Sequence, residues 1–211
     1  EIRRDHGEGE LAEDLDLIMD QVARCRAILG KLRNLRPSGS DLFDSATLSD
    51  IVAELAKAHE GPALVGGKSI SLAQSRAEQD EPVIARNVAL LYGLGNLIEN
   101  AVQFAKAEVT IRAVWDGKRV MIAIMDDGPG FPPDLLSRLG EPYLTTRTKD
   151  RFDPRHPDGG GGLGLGVFIA KTLLERTGAT LKFFNARPNG HACVEISWPR
   201  DWLVRNAAPE Q

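Results

Sequence analysis

The chain has 211 residues, 42% of them hydrophobic and 27% charged, with a formal net charge of −4. That is ordinary globular material, long enough for one large domain or a medium domain with an appendage. No apolar run approaches the roughly 20 residues needed to span a bilayer, no signal peptide is read at the start, and the acidic balance argues against nucleic acid as the main partner. Cys25 and Cys193 supply neither a disulfide framework nor a metal spacing, so a reducing, cytoplasmic setting is expected.

The first element in chain order is a helix. Leu11, Leu15, Ile18, Val22, Cys25, Leu29 and Leu32 alternate in steps of four and three, which is a heptad seam on an otherwise charged surface. Such a narrow stripe is expected to pack against other helices in a coiled coil or bundle. "RPSGS" then breaks the helix. The spacing predicts a helical segment over 1–36, a linker over 37–41, a second domain over 42–202 and a tail over 203–211.

Within the second domain, "TLSDIVAELAKAH" reads as a capped helix with an apolar face at Leu48, Ile51, Val52 and Leu55. "KSISLAQ" alternates like a strand. "PVIARNVALLYGLGNLIENAVQFAKA" is apolar nearly all round, which predicts a long helix buried against a sheet. "EVTIRAVWDGKRVMIAIMDDG" is two alternating runs joined at an Asp-Gly turn, a hairpin signal. A helix opened by glycines follows from about Gly164 to Thr177, and a second hairpin turns at Pro188-Asn189-Gly190. Hairpins outnumber crossovers, so the expected fold class is α/β: a two-layer sandwich with a mixed, largely antiparallel sheet and helices on one face.

Four segments carry chemistry. Asn96, Glu99 and Asn100 are polar residues on the apolar helix, and Asn96 and Asn100, four apart, share a face. An asparagine oxygen suits Mg²⁺, which takes few protein ligands; a buried asparagine satisfied by backbone is the alternative. Asp126-Asp127-Gly128-Pro129-Gly130 ends an apolar strand, where glycines admit a close ligand and a carboxylate can accept from an exocyclic amine. A plain acidic turn is the alternative there. "EPYLTTR" offers an aromatic, two hydroxyls and a cation. "GGGGLGLG", over Gly159 to Gly166, places unhindered amides at a helix start, an anion-binding arrangement. A G-x-G-x-x-G dinucleotide reading of those glycines fails, because "TKDRFDPRHPD" before them cannot be a central strand.

Together these segments resemble the nucleotide-binding domain of sensor histidine kinases, the Bergerat fold shared with gyrase, Hsp90 and MutL. "NLIENAVQFA" is similar to the N box, "DDGPGF" to the G1 box, "EPYLTTR" to the F box and "GGGGLGLGVFIAKTLLE" to the G2 box. The resemblance implies ATP or ADP with Mg²⁺ as ligands. It implies that Asn100 ligates Mg²⁺, that Asp126 reads the adenine amine, and that Gly128 and Gly130 shape the base pocket. Gly160, Gly162, Gly164 and Gly166 would hinge the ATP lid and meet the phosphates, with Leu163 and Leu165 among them, and Tyr143, Thr146 and Arg147 would also bind the nucleotide. Asn96 stands where ATP-hydrolysing relatives carry a general-base glutamate, which fits transfer of phosphate to a side chain rather than to water. Gln103 departs from the pattern, since many relatives have a Lys or Arg there; Lys106 or Arg147 are the nearby substitutes.

The family's phosphoryl acceptor is a histidine on the first of two bundle helices, and none of His6, His59, His156 or His191 has that context. The chain is therefore expected to start after the acceptor, with Leu11 to Leu35 as the second helix. Within the family, "AEDLDLIMDQVARCRAIL" and the N and G2 boxes look most like the redox-responding RegB/PrrB type. That implies a homodimer through the bundle, a response regulator as partner, the cytoplasmic side of a bacterial inner membrane, and a redox reading for Cys25 on the seam; a small apolar core residue is the alternative for Cys25. Competing readings are a non-catalytic, nucleotide-gated interaction module, a serine-directed anti-sigma kinase and a Bergerat ATPase. Asn96 counts against the ATPase and the bundle-type arm against the anti-sigma kinase.

Overall fold

The computed structural model describes residues 45–73, 80–141 and 165–205. The chain divides into two compact units, Glu1–Ser40 and Asp41–Gln211, and every described residue lies in the second. The heptad segment with Cys25, the linker, and the site candidates Tyr143, Thr146, Arg147, Gly160, Gly162, Leu163 and Gly164 lie outside the described residues.

Strand β1 (Ser45–Thr47) leads directly into helix α1 (Leu48–Val65). Thr47 caps it, its Oγ1 accepting from the Asp50 N–H at 3.2 Å. The helix buries Leu48, Ile51, Val52 and Leu55, the face read from the sequence. It continues past His59 to Val65 although Pro62, inside the helix, has no N–H to donate to the turn before it; the buried Ala63 anchors that last turn.

Strand β2 (Ser69–Ala73) follows, then β3 (Val83–Ala85) and helix α2 (Val88–Phe104). The long helix expected from Pro82 is thus shorter at its start. The β-branched Val83 and Ile84, with Ala85, pair with β1 instead, Thr47 opposite Val83 and Ser45 opposite Ala85, and the Pro82 carbonyl accepts from the Leu48 N–H at 3.1 Å. Asn87 sets the true start, its Oδ1 accepting from the Ala89 N–H at 2.8 Å.

β4 (Glu108–Trp115) and β5 (Arg119–Asp126) form the first hairpin, closed by Asp116, whose Oδ1 accepts from the Lys118 and Arg119 amides at 2.6 and 2.7 Å. Helix α3 (Leu165–Arg176) precedes the second hairpin, β6 (Thr180–Ala186) and β7 (His191–Pro199). The main sheet has five strands in the order β2-β4-β5-β7-β6; β2 and β4 are parallel and the other pairs antiparallel. This is the expected mixed sheet.

Strict alternation divides its two faces. Val109, Ile111, Ala113 and Trp115 of β4, and Val120, Ile122, Ile124 and Asp126 of β5, are buried on the helix side. Thr110, Arg112, Val114, Met121, Ala123 and Met125 point the other way and are half-buried or exposed. α2 buries Leu90, Leu94, Leu97, Ile98 and Ala101. It meets α3 where Gly93 faces Leu174, so closely that a Cβ on Gly93 would come 2.6 Å from Leu174 Cγ. Behind that contact, Trp198 Nε1 donates to Thr177 Oγ1 at 3.0 Å and Thr177 Oγ1 donates to the Leu174 carbonyl at 2.6 Å, satisfying a buried indole.

The final helix, α4 (Arg200–Arg205), was not legible in the sequence, where a tail was expected from 203. Leu203 is buried in the core, which makes α4 part of the domain. Among the described residues no helix is long and apolar enough to cross a membrane.

Candidate functional site

Two asparagines sit one turn apart on α2. Asn96 Nδ2 donates to the Tyr92 carbonyl at 2.8 Å, and Asn100 Nδ2 donates to the Asn96 carbonyl at 2.7 Å. Both amide nitrogens are thereby committed to the helix backbone, which leaves the Oδ1 atoms as the available hard oxygens. Both residues are half-buried, whereas Glu99 between them is exposed and takes no part.

Gly166, the second residue of α3, closes over this pair. A Cβ there would lie 3.3 Å from Asn100 Nδ2 and 3.9 Å from Asn96 Oδ1. The backbone at the start of α3 is therefore near enough to the asparagines that a side chain at this position would crowd them. Leu165 opens the same helix. A helix N-terminus, with amides free of intrahelical partners, is placed beside two oxygen donors.

At the end of β5, Asp126 is buried, and its Oδ1 accepts from the Gly128 N–H at 2.9 Å. Burial pushes its carboxyl above the ordinary carboxylate value, and the Asp127 charge acts the same way, against the Gly128 hydrogen bond and His191. Gly128 presses on the end of α2, where a Cβ would strike the Phe104 carbonyl oxygen. Gly130 adopts φ 80° and faces the Gly190 carbonyl, a conformation and a gap that suit glycine.

Two residues to which the sequence reading gave no role of their own hold this frame. Asp127 Oδ1 accepts from the Lys106 and Ala107 amides at 2.7 and 3.0 Å, tying the turn after β5 to the end of α2. Burial alone would raise its carboxyl, but the hydrogen bonds from Ala107, Glu108 and Lys106 hold it below its ordinary value. Lys68 Nζ donates to the Val102 and Gln103 carbonyls at 2.6 and 3.1 Å, capping α2. The doubled aspartate was the available signal for Asp127; a lysine before a strand gave none for Lys68.

Gln103 and Lys106 are both exposed beyond the asparagine pair. His59 bonds within its own helix, Nδ1 lying 2.8 Å from the Leu55 carbonyl. Cys193 is buried in β7, where burial and the charges of Glu195 and Asp126 push its thiol up to about 11. That environment suits a structural, unreactive thiol.

Residues 86–201 match the family described as histidine kinase-, DNA gyrase B- and HSP90-like ATPase. The chain belongs to this family. The matched region contains the asparagine pair, Asp126 and Gly166. Among curated relatives it is similar to "Sensor histidine kinase RegB" of Cereibacter sphaeroides, 42% identical over 93% of this chain and 45% of that protein. It is also similar to "Sensor protein KdpD" of Escherichia coli, 33% identical over 50% of this chain and 11% of that protein. The chain thus spans less than half the length of these relatives. Solved structures share the fold: a mycobacterial sensor histidine kinase, MprB, at TM-score 0.56 and 17% identity, covering 74% of this chain and 96% of that one; and full-length ShkA in complex with AMPPNP, at TM-score 0.59 and 22% identity, covering 93% and 40%.

Proposed function

We propose that this chain is the ATP-binding, catalytic part of a two-component sensor histidine kinase, holding Mg-ATP and promoting transfer of its γ-phosphoryl group to a histidine on the first helix of a dimeric bundle, from which a response-regulator aspartate receives it. The observation that carries this reading is the meeting of Asn96 and Asn100 with Gly166 at the start of α3, on the same domain as the buried Asp126. The family match and the similarity to RegB support it.

The chain's own residues divide the work. Asp126 accepts a hydrogen bond from the adenine amine, with Gly128 and Gly130 allowing the base to approach. The lid residues Gly160, Gly162, Leu163, Gly164, Leu165 and Gly166 serve the phosphates, and Tyr143, Thr146, Arg147, Gln103 and Lys106 are further nucleotide-binding candidates. Asn100 is the residue that would hold Mg²⁺, and the commitment of its amide nitrogen to the Asn96 carbonyl leaves it a hard oxygen to offer. When bound, the cation neutralises phosphate charge. Asn96 cannot take a proton from water, so it disfavours hydrolysis and leaves the phosphoryl group for a side chain.

The heptad seam supports a homodimer, and the acidic charge disfavours nucleic acid. The similarity to RegB supports placement at the cytoplasmic side of a bacterial inner membrane through upstream segments of a longer protein. It also supports a redox role for Cys25. Two Cys25 thiols on a parallel seam would form a disulfide by exchange with an oxidised dithiol partner, which is reduced in turn.

The test is transfer of label from γ-labelled ATP to a supplied histidine-bearing helix, and onward to a receiver domain. Acid-labile label on the histidine, lost with Asn100→Ala, is the expected result. Nucleotide binding without transfer would favour the interaction-module reading.

A further inference from the structure

Asn185, near the end of β6, lies 54 residues from Phe131 in sequence, yet its carboxamide grips that residue's backbone on both sides. Its Oδ1 accepts from the Phe131 N–H at 2.7 Å and its Nδ2 donates to the Phe131 carbonyl at 2.8 Å. The pair of bonds copies one rung of a β-ladder and is half-buried. Gly130, the residue before, is pressed into the same corner: a Cβ there would lie 2.9 Å from Asn185 Oδ1 and collide with the Gly190 carbonyl of the β6–β7 turn. The Phe131 ring stands edge-on to Phe183, two residues before Asn185, with centroids 6.0 Å apart and planes at 82°.

We infer that Asn185 is a positioning residue for the nucleotide: through Phe131 and Gly130 it fixes the loop after Asp126, so that the base pocket is set by the far hairpin as well as by β5. The inference rests on the adenine-binding reading given above. Asp127 ties the start of this loop to α2, and Asn185 ties its end to β6. The segment between the two anchors carries Gly128 and Gly130. With Asn185 removed, the Phe131 backbone loses both of these hydrogen bonds and Gly130 loses the wall beside it, so ordering the loop falls to the nucleotide, which weakens binding.

The experiment titrates Mg-ADP into wild type, Asn185→Ala, Asn185→Asp and Thr177→Val by calorimetry, with melting curves and amide exchange of Phe131 followed in parallel. Thr177→Val is the stability control, because it breaks the buried bond to Trp198 without touching the loop. Asn185→Ala should weaken ADP roughly tenfold, the range of one or two lost hydrogen bonds, and speed exchange of the Phe131 amide. Asn185→Asp keeps the acceptor for Phe131 N–H but opposes a carboxylate to its carbonyl, so exchange should stay slow while affinity falls by an intermediate factor. Thr177→Val should melt lower and bind ADP as wild type does. Wild-type affinity in folded Asn185→Ala, or an equal loss in Thr177→Val, overturns the inference and leaves the binding reading standing. Absence of ADP binding by folded wild type overturns both.

Discussion

Gly166 of α3 lies against Asn100 of α2, leaving 3.3 Å between the asparagine's Nδ2 and the point where a Cβ would stand. Alanine at this position should separate stability from binding. Replacing a helical glycine by alanine favours the helix by about 1 kcal/mol, while the methyl group enters the space between the helix start and the two asparagine carboxamides. Gly166→Ala is expected to keep or raise the melting temperature and to lower Mg-ATP affinity about tenfold, measured by calorimetry beside thermal melts.

Asp126 should make nucleotide binding fall on acidification. Its carboxyl sits above the ordinary value because it is buried. The native state therefore binds that proton more tightly than the unfolded chain, and the stability this contributes is complete below the unfolded value and lost as pH rises through the folded one. The adenine amine needs the carboxylate, so ADP affinity should drop as pH falls through the raised pKa. Asp126→Asn should weaken both ATP and ADP at neutral pH without lowering the melting temperature.

Asp127 has the opposite sign. Held below its ordinary value by backbone amides, it contributes stability above the unfolded carboxylate pKa that is lost as pH falls through the folded one. Asp127→Ala should cost on the order of 1–2 kcal/mol, since the Lys106 and Ala107 amides lose their acceptor. Asp127→Asn, which retains one oxygen, should recover most of it in denaturant titrations at neutral pH.

Gly93 is a packing position. The 2.6 Å approach of Leu174 to its absent Cβ means that Gly93→Ala overpacks the α2–α3 contact, with an expected loss of about 1–3 kcal/mol in chemical denaturation.

The sheet was legible because its signals are local: two hairpins with Asp-Gly and Asn-Gly turns, and alternation that put Asp126 on the buried face. Asn96, Asn100 and Gly166 were legible as candidates because polar residues on an apolar helix, and glycines at a helix start, stand out against their neighbours. β3 was hidden, since Val83 and Ile84 continue the apolar run of α2 and only pairing with β1 makes them a strand. α4 was hidden because, among its described residues, Leu203 alone is buried. Asn185 had no local signal at all, because its partner is 54 residues away and a strand-end asparagine reads as turn chemistry.

The central claim is that Asn100 serves a Mg-nucleotide site, and its most direct test is calorimetric titration of wild type and Asn100→Ala with ATP, with and without Mg²⁺. Binding strengthened by Mg²⁺ in the wild type, with that dependence lost in a folded Asn100→Ala, is the predicted result. No binding by folded wild type, or the same Mg²⁺ dependence in both proteins, would contradict the account.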